Sequence, residues 1–260
     1  MMRIMCPIRL SQLFTFASLL FVSPLFAQPQ TGVPCPCPPA GPPPIWTGSA
    51  GFGLTLNRGN TDTTNINLSF DATRDPKAKD VWKMELLYLR GDTNGELSAN
   101  RVFAQVRYER NLTTRLFAFG QLPYLRDHFK SIDYHIAPNA GIGYKLIATP
   151  QTTLTADGGF GVKWQKNPGF DVKTSAVVTS GDRFEFKLSP TSAITQSFAA
   201  VWDADDWGDA LYTFAAGAAA ALTTRSQLKL ELLDTYATRP PTPEIKNNDV
   251  ALLAAVVYKF

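Results

Sequence analysis

The chain ends with the stretch VALLAAVVYKF, residues 250–260. In an extended strand alternate residues share a face, and here that face carries Val250, Leu252, Ala254, Val256, Tyr258 and Phe260. An apolar face with a terminal aromatic is typical of the last strand of an outer-membrane β-barrel, which must pair with the first strand because lipid offers no water to an open edge. We therefore predict that Tyr258 and Phe260 form an assembly signal for the barrel assembly machinery. A soluble protein could end in the same way.

The other end of the chain has the features of a secretory signal peptide. Arg3 and Arg9 precede an apolar stretch from Leu10 to Phe26, and the sequence LFA before Gln28 fits a cleavage site. A retained membrane anchor is the alternative, although the stretch is short for a spanning helix. We therefore predict that residues 1–27 are removed and that the chain is exported to the bacterial outer membrane.

Residues 28–45 have a composition unlike the rest of the chain, with eight prolines between Pro29 and Pro44. This composition predicts a disordered or polyproline-like periplasmic leader. Cys35 and Cys37 are too close in sequence for an ordinary disulfide, and an intermolecular disulfide or a metal contact is left open. Beyond the predicted signal peptide, 23 Lys and Arg stand against 22 Asp and Glu. This near-neutral balance argues against nucleic acid as a partner.

From Trp46 onward the chain divides into segments of alternating polarity separated by turn signals. The predicted strands are 46–57, 62–74, 80–92, 97–110, 114–127, 131–148, 151–166, 172–188, 190–203, 208–223, 225–239 and 248–260. Their length and even number predict an all-β fold, a single transmembrane antiparallel up-and-down β-barrel of about 12 strands over residues 46–260. The longer and more acidic turns are assigned to the extracellular side. The stretch LYTFAAGAAAAL, residues 211–222, has the composition of a helix and is predicted as a strand only because the spacing requires one.

In the clearest strands the apolar residues and the charges occupy opposite faces. If the apolar face meets lipid, the charges line or fill the lumen, which gives Lys83, Glu85, Arg101, Arg107, Glu109, Arg183, Glu185, Lys187, Lys229 and Glu231 as lumen-lining residues. A soluble sandwich would alternate in the same way. Strand length, the even count, the terminal Phe260 and the aromatic residues near strand ends favour the barrel.

Few residues suggest catalysis. Asp133 and His135 lie two apart on a predicted strand and could form the Asp-His pair of an omptin-type protease, with Asp203 and Asp205 as acidic partners. Ser131 beside His135 could serve a barrel phospholipase. Ordinary residues at the barrel rim explain the same pattern better. We therefore predict no enzyme, no catalytic residue, no cofactor and no metal site.

Several stretches resemble a known family. They are GFGLTLNRGNTDTTNINLSFDATRD from Gly51, the strand around Trp82, Arg101, and RLFAFG from Arg115. They are similar to the salt-induced outer-membrane protein family, a β-barrel domain of unknown function, and the resemblance extends from about Trp46 to Phe260. It implies an outer-membrane barrel linked to salt or envelope stress, and it implies no catalytic residues. The Cys-Pro-Cys leader has no counterpart in the family.

The sequence thus predicts a non-enzymatic outer-membrane barrel with a charged lumen that is narrow or plugged. A barrel of about twelve strands leaves some interior space, but much less than porins of about sixteen strands or more. The alternative is a diffusion pore for ions or small polar solutes, and the sequence does not decide between the two. The predicted partners are outer-membrane lipid, the assembly machinery and, for a pore, its solutes.

Overall fold

The computed structural model describes residues 45–57, 63–76, 79–128, 130–240 and 245–260. Its strands are β1 (Trp46–Asn57), β2 (Thr63–Arg74), β3 (Asp80–Thr93), β4 (Glu96–Asn111), β5 (Leu116–Asp127), β6 (Ile132–Ile136), β7 (Asn139–Ala148), β8 (Thr152–Lys166), β9 (Lys173–Ser189), β10 (Ser192–Asp203), β11 (Ala210–Ala221), β12 (Ser226–Ala237) and β13 (Asn248–Lys259). No helix in these residues is long and apolar enough to cross a membrane. The predicted signal peptide and the proline-rich leader with Cys35 and Cys37 lie outside the described residues.

The strands close into one antiparallel barrel. Apart from β6 and β7, which do not pair with each other, strands that follow one another in sequence are paired, and β1 pairs with β13. Strands β6 and β7 lie end to end, since both pair with β5 and with β8, so the wall is twelve strands wide. The predicted fold is therefore confirmed, and the alanine-rich stretch forms strand β11 as the spacing required.

The predicted strand 131–148 is interrupted at Ala137 and Pro138. Pro138 has no N–H to donate to a neighbouring strand, and Pro123 of β5 lies beside the same break. The backbone is held there by other bonds: the Ala137 N–H donates to the Pro123 carbonyl, and the Asn139 side chain donates to the Ala137 carbonyl. The break does not open the wall, because β8 pairs with both halves.

The outer surface of the barrel is apolar. Its large exposed side chains include Phe52, Leu68, Leu86, Ile142 and Phe160, of which Phe160 is 75% exposed. Aromatic rings gather near both ends of the strands: Trp82 packs on Tyr108 at 4.9 Å between ring centroids, and Trp202 and Tyr212 lie 6.0 Å apart at the opposite end. An apolar band with an aromatic girdle at each edge is the surface that a lipid bilayer requires.

Two acidic residues depart from this outer pattern. Asp182 of β9 pairs with Phe198, and Asp234 of β12 pairs with Phe214, so both carboxylates share the outward face with these aromatic rings. Alternation alone therefore does not place every charge of this barrel in the lumen.

The seam where β1 pairs with β13 has fewer residue pairs than the other pairings between strands of ten or more residues. Four residue pairs join them, from Ser49 with Lys259 to Phe52 with Val256, and the carboxyl-terminal Phe260 adds two backbone bonds of 3.1 Å to Gly48. The Phe260 ring stacks on Phe70 at 6.1 Å. Farther along the seam, the Asn67 side-chain amide donates to the Ala254 carbonyl at 3.2 Å. Side chains therefore complete a seam that has few backbone bonds.

Candidate functional site in the barrel lumen

The end of the barrel that carries Trp46 and Phe260 is called the termini end here, and the opposite end is the loop end. Charged side chains meet inside the barrel at two levels, one toward the termini end and one toward the loop end. At each level, some pairs form between strands that are not neighbours in the wall, so these contacts pass through the interior.

Arg107 of β4 organises the termini end. Its Nε donates to Glu109 Oε1 at 2.7 Å, its Nη1 to Gln121 Oε1 at 2.7 Å, and its Nη2 to Asp157 Oδ2 at 2.8 Å. The guanidinium carbon lies 4.0 Å from the centroid of the Phe119 ring. Arg107 is 4% exposed. One buried cation thus binds groups from β4, β5 and β8, which is the planar, many-donor recognition that arginine provides and lysine does not.

Three other predicted lumen residues form ion pairs toward the termini end. Lys83 of β3 donates to Glu109 Oε1 at 2.9 Å, so Glu109 lies between two cations. On the other side of the barrel, Lys229 and Glu231 of β12 form an ion pair of 2.6 Å within their own strand. Mixed charges are therefore largely neutralised at this level.

Arg101 crosses the lumen toward the loop end. Its Nη1 donates to Thr235 Oγ1 at 2.7 Å, although β4 and β12 are five strands apart in the wall. The same nitrogen lies 3.6 Å from Asp127 Oδ2. All three residues are buried. In a barrel twelve strands wide, a contact over five strands joins nearly opposite walls.

Lys130 makes a second crossing at the mouth. It lies in the turn between β5 and β6, and its Nζ donates to the Asn247 carbonyl at 2.9 Å and lies 3.1 Å from Asp249 Oδ2. Although it is a lysine on a turn, Lys130 is only 2% exposed. Lys130 therefore reaches across the mouth to the start of β13.

Two of the residues considered for catalysis, His135 and Asp203, are buried with structural partners. His135 is buried, and its Nδ1 lies 3.2 Å from Gln165 Oε1, while Asp133 is exposed. Asp203 is buried beside two lysines, Lys163 at 3.5 Å and Lys173 at 2.9 Å. The structure thus does not pair Asp133 with His135, and it uses Asp203 to join β8, β9 and β10.

A chamber lies between the two levels of crossing contacts. Its volume is about 240 Å³. Its wall includes both crossing arginines, and it also includes the charged residues Asp71, Glu85, Arg183, Lys229 and Glu231. Apolar groups line another part of the wall: Phe103, Pro123, Leu125, Ala199, Val201, Leu211 and Leu233. The chamber is thus polar on one part and apolar on another, which is the character of a small-molecule site.

Three predicted lumen residues on β9 have no ion pair among the described residues. They are Arg183, Glu185 and Lys187. Arg183 contributes to the chamber wall, whereas Glu185 and Lys187 do not. Their register with β8 places Arg183 and Glu185 opposite Thr155 and Thr153, on the side of Asp157.

Sequence reasoning missed several partners in these networks. Asp157 and Gln121 alternate with apolar neighbours as the predicted residues do, so their parity could have identified them. Lys130 could not be found in this way, because a turn has no alternation to read. Thr235 has the inward parity of Glu231, but an uncharged side chain gives no signal in a search for charges.

The sequence model described as "Protein of unknown function, DUF481" matches residues 50–260. The chain belongs to the DUF481 family. No curated protein matches this DUF481 chain. The crystal structure of the COG4313 outer membrane channel from Pseudomonas putida F1 is similar, with 11% identity and a TM-score of 0.47, over 83% of this chain and 94% of that chain. The translocator domain of autotransporter NalP from Neisseria meningitidis has 10% identity and a TM-score of 0.45, over 85% of this chain and 90% of that chain.

Proposed function

We propose that this DUF481 chain is a non-enzymatic outer-membrane β-barrel whose lumen is closed by a plug of ion-paired side chains. The observation that carries the proposal is the contact of Arg101 with Thr235 across five strands of the wall. A side chain that reaches the opposite wall occupies the path that a solute would take. The Arg107 cluster obstructs a second level nearer the termini end.

The outer surface supports the membrane location. Lipid requires an apolar wall without free backbone groups, and the closed barrel with its exposed Phe52, Leu68 and Phe160 satisfies both conditions. The termini end then faces the periplasm and the longer loops face outward, because periplasmic turns are short in such barrels. Phe260, exposed on the outer face beside the seam, is accessible to the assembly machinery before the barrel closes.

A diffusion pore for ions or small polar solutes is the second candidate. The chamber of about 240 Å³ favours it, because a completely filled lumen would have no such space. In this pore the Arg101 and Arg107 contacts would be gates that open. The two candidates differ in how easily the crossing contacts break.

Single-channel recording of the purified protein in planar lipid bilayers tests the choice. A plugged barrel gives no steady conductance, and simultaneous Arg101→Ala, Arg107→Ala and Lys130→Ala substitutions create one by removing the crossing contacts. Steady conductance of the unsubstituted protein, unchanged in the triple variant, would overturn the plug. Identical gel migration of heated and unheated protein, together with recovery from the soluble periplasmic fraction, would overturn the membrane barrel itself.

The resemblance to the salt-induced family adds a physiological proposal: the barrel contributes to the envelope under salt stress. This part rests on the resemblance alone. Growth of a deletion strain in high salt, compared with the complemented strain, tests it. Equal growth of both strains, with unchanged protein levels after a salt shift, would contradict it.

A further inference from the structure

Two opposite charges in the chamber wall lack the ion-pair partners that Lys83, Arg107 and Lys229 have. Glu85 of β3 and Arg183 of β9 make no hydrogen bond and no ion pair among the described residues. Both side chains are exposed to the lumen space. By contrast, Arg107, Lys83 and Lys229 each have a carboxylate within 3 Å. Glu185 and Lys187 of β9 also lack an ion pair among the described residues, but they lie outside the chamber wall.

Glu85 and Arg183 lie on nearly opposite walls of the barrel. Strands β3 and β9 are five strands apart by the shorter way round the barrel. Both side chains nevertheless line the same chamber, so the two charges face one space. They do not form a hydrogen-bonded pair, and the gap between them is part of the chamber.

Apolar side chains adjoin this charged gap. Phe103, Leu125 and Leu233 contribute to the same chamber wall, and the last two are buried. Water in such a chamber hydrates the charges but gains little from the apolar wall. An occupant with both a charged and an apolar part satisfies both regions.

We propose that the chamber binds a small zwitterion with an apolar side chain, such as a free α-amino acid, with its ammonium group on Glu85 and its carboxylate on Arg183. A carboxylate binds a guanidinium through two parallel hydrogen bonds, and an ammonium group donates to a carboxylate over a short distance. The apolar side chain then lies against Phe103 and Leu125. The chamber, at about 240 Å³, has room for a molecule of the size of leucine.

A molecule with only one of the two charges leaves the other wall charge without a partner. This predicts a specific order of affinity, because hydrogen bonds to charged groups contribute more than neutral ones. Leucine should bind about 10-fold or more tightly than 3-methylbutan-1-amine, which lacks the carboxylate, and than 4-methylpentanoate, which lacks the amine. The inference rests on the proposed barrel, but it does not depend on whether the lumen conducts.

Isothermal titration of the purified full-length protein in detergent with these three molecules tests the proposal. Glu85→Gln should weaken leucine binding about 10-fold or more and leave leucine and 4-methylpentanoate nearly equal. Glu185→Gln is the matched control, because Glu185 is on the same strand as Arg183 but outside the chamber wall. It should leave leucine affinity unchanged. Each variant is first checked for heat-dependent gel migration, which shows that the barrel is folded.

Three results would overturn the proposal. One is that leucine binds no more tightly than the amine and the acid, and another is that leucine produces no heat at millimolar concentration. The third is that Glu85→Gln and Glu185→Gln weaken binding equally. The proposed plug has a separate test, since steady conductance of the unsubstituted protein would contradict it. Failure of leucine binding and failure of the plug are therefore measured in different experiments.

Discussion

Replacing Arg107 with alanine tests whether the buried charges hold the barrel together. The substitution removes three hydrogen bonds, to Glu109, Gln121 and Asp157, and the contact with the Phe119 ring. Glu109 keeps Lys83 as a partner at 2.8 Å. Asp157, whose side chain is 14% exposed, loses its ion pair. The variant therefore leaves one carboxylate without a counter-charge inside the barrel.

The size of the loss follows from this geometry. Removing one partner of a buried ion pair costs about 3–5 kcal/mol, and a cation over an aromatic ring adds about 0.5–2 kcal/mol. Water that enters the space left by the side chain recovers part of this free energy. We expect the free energy of unfolding to fall by about 3–5 kcal/mol. Arg183→Ala is the matched control, because Arg183 is an exposed lumen arginine without an ion pair, and we expect a change of about 0.5 kcal/mol or less.

Urea unfolding of the protein in lipid vesicles measures both variants. Tryptophan fluorescence and the fraction that migrates as folded barrel on an unheated gel give independent transition curves. With a slope of about 2 kcal/mol per molar urea, Arg107→Ala should lower the transition midpoint by about 2 M. If the Arg107 and Arg183 variants lose equal stability, or if Arg107→Ala loses less than about 1 kcal/mol, the cluster is hydrated and the reasoning from burial is wrong.

Two further predictions concern the seam between β1 and β13. Phe260→Glu should reduce insertion in the membrane while export continues, because a charge replaces the ring that stacks on Phe70; normal amounts of heat-modifiable barrel in membrane fractions would contradict this. Gly48→Ala should destabilise the barrel by about 1–3 kcal/mol, since a Cβ there would lie 2.5 Å from the Phe260 ring and 2.6 Å from the Asp71 carbonyl oxygen. Gly120→Ala, where nothing lies within 4 Å of the added Cβ, is the control and should not destabilise in the same urea titration.

The fold could be predicted from the sequence because lipid-facing strands follow the same rule, in which apolar residues alternate with polar ones. Tyr108 and its neighbours Arg107 and Glu109 show the rule, since lipid requires one face to be apolar and leaves the charges to the other. Strand β11 shows its limit: alanine fits either face, so only the spacing indicated a strand. Asp182 breaks the rule, because its outward position follows from the register and not from its polarity.

The partners inside the lumen could not be predicted in the same way. The partner of Arg101 depends on how the barrel closes and on the height at which β4 faces β12. The alternation of residues within one strand predicts neither of these. Thr235 is a partner of Arg101 because of that closure, which also brings Lys130 within hydrogen-bond distance of the Asn247 carbonyl. The alternation in the sequence thus predicts which charges face the lumen, and the contacts between opposite walls come from the structure.

The arrangement of the crossing contacts bears on how the chamber could be reached. Arg101 and Arg107 are six residues apart on β4, which corresponds to about 20 Å along an extended strand, and both belong to the chamber wall. Opening one level alone therefore connects the chamber to one side of the membrane and leaves the other side closed. An occupant could enter and leave from that side without any ion passing through. A binding site between two separately closed levels thus agrees with a barrel that holds a small solute and does not leak.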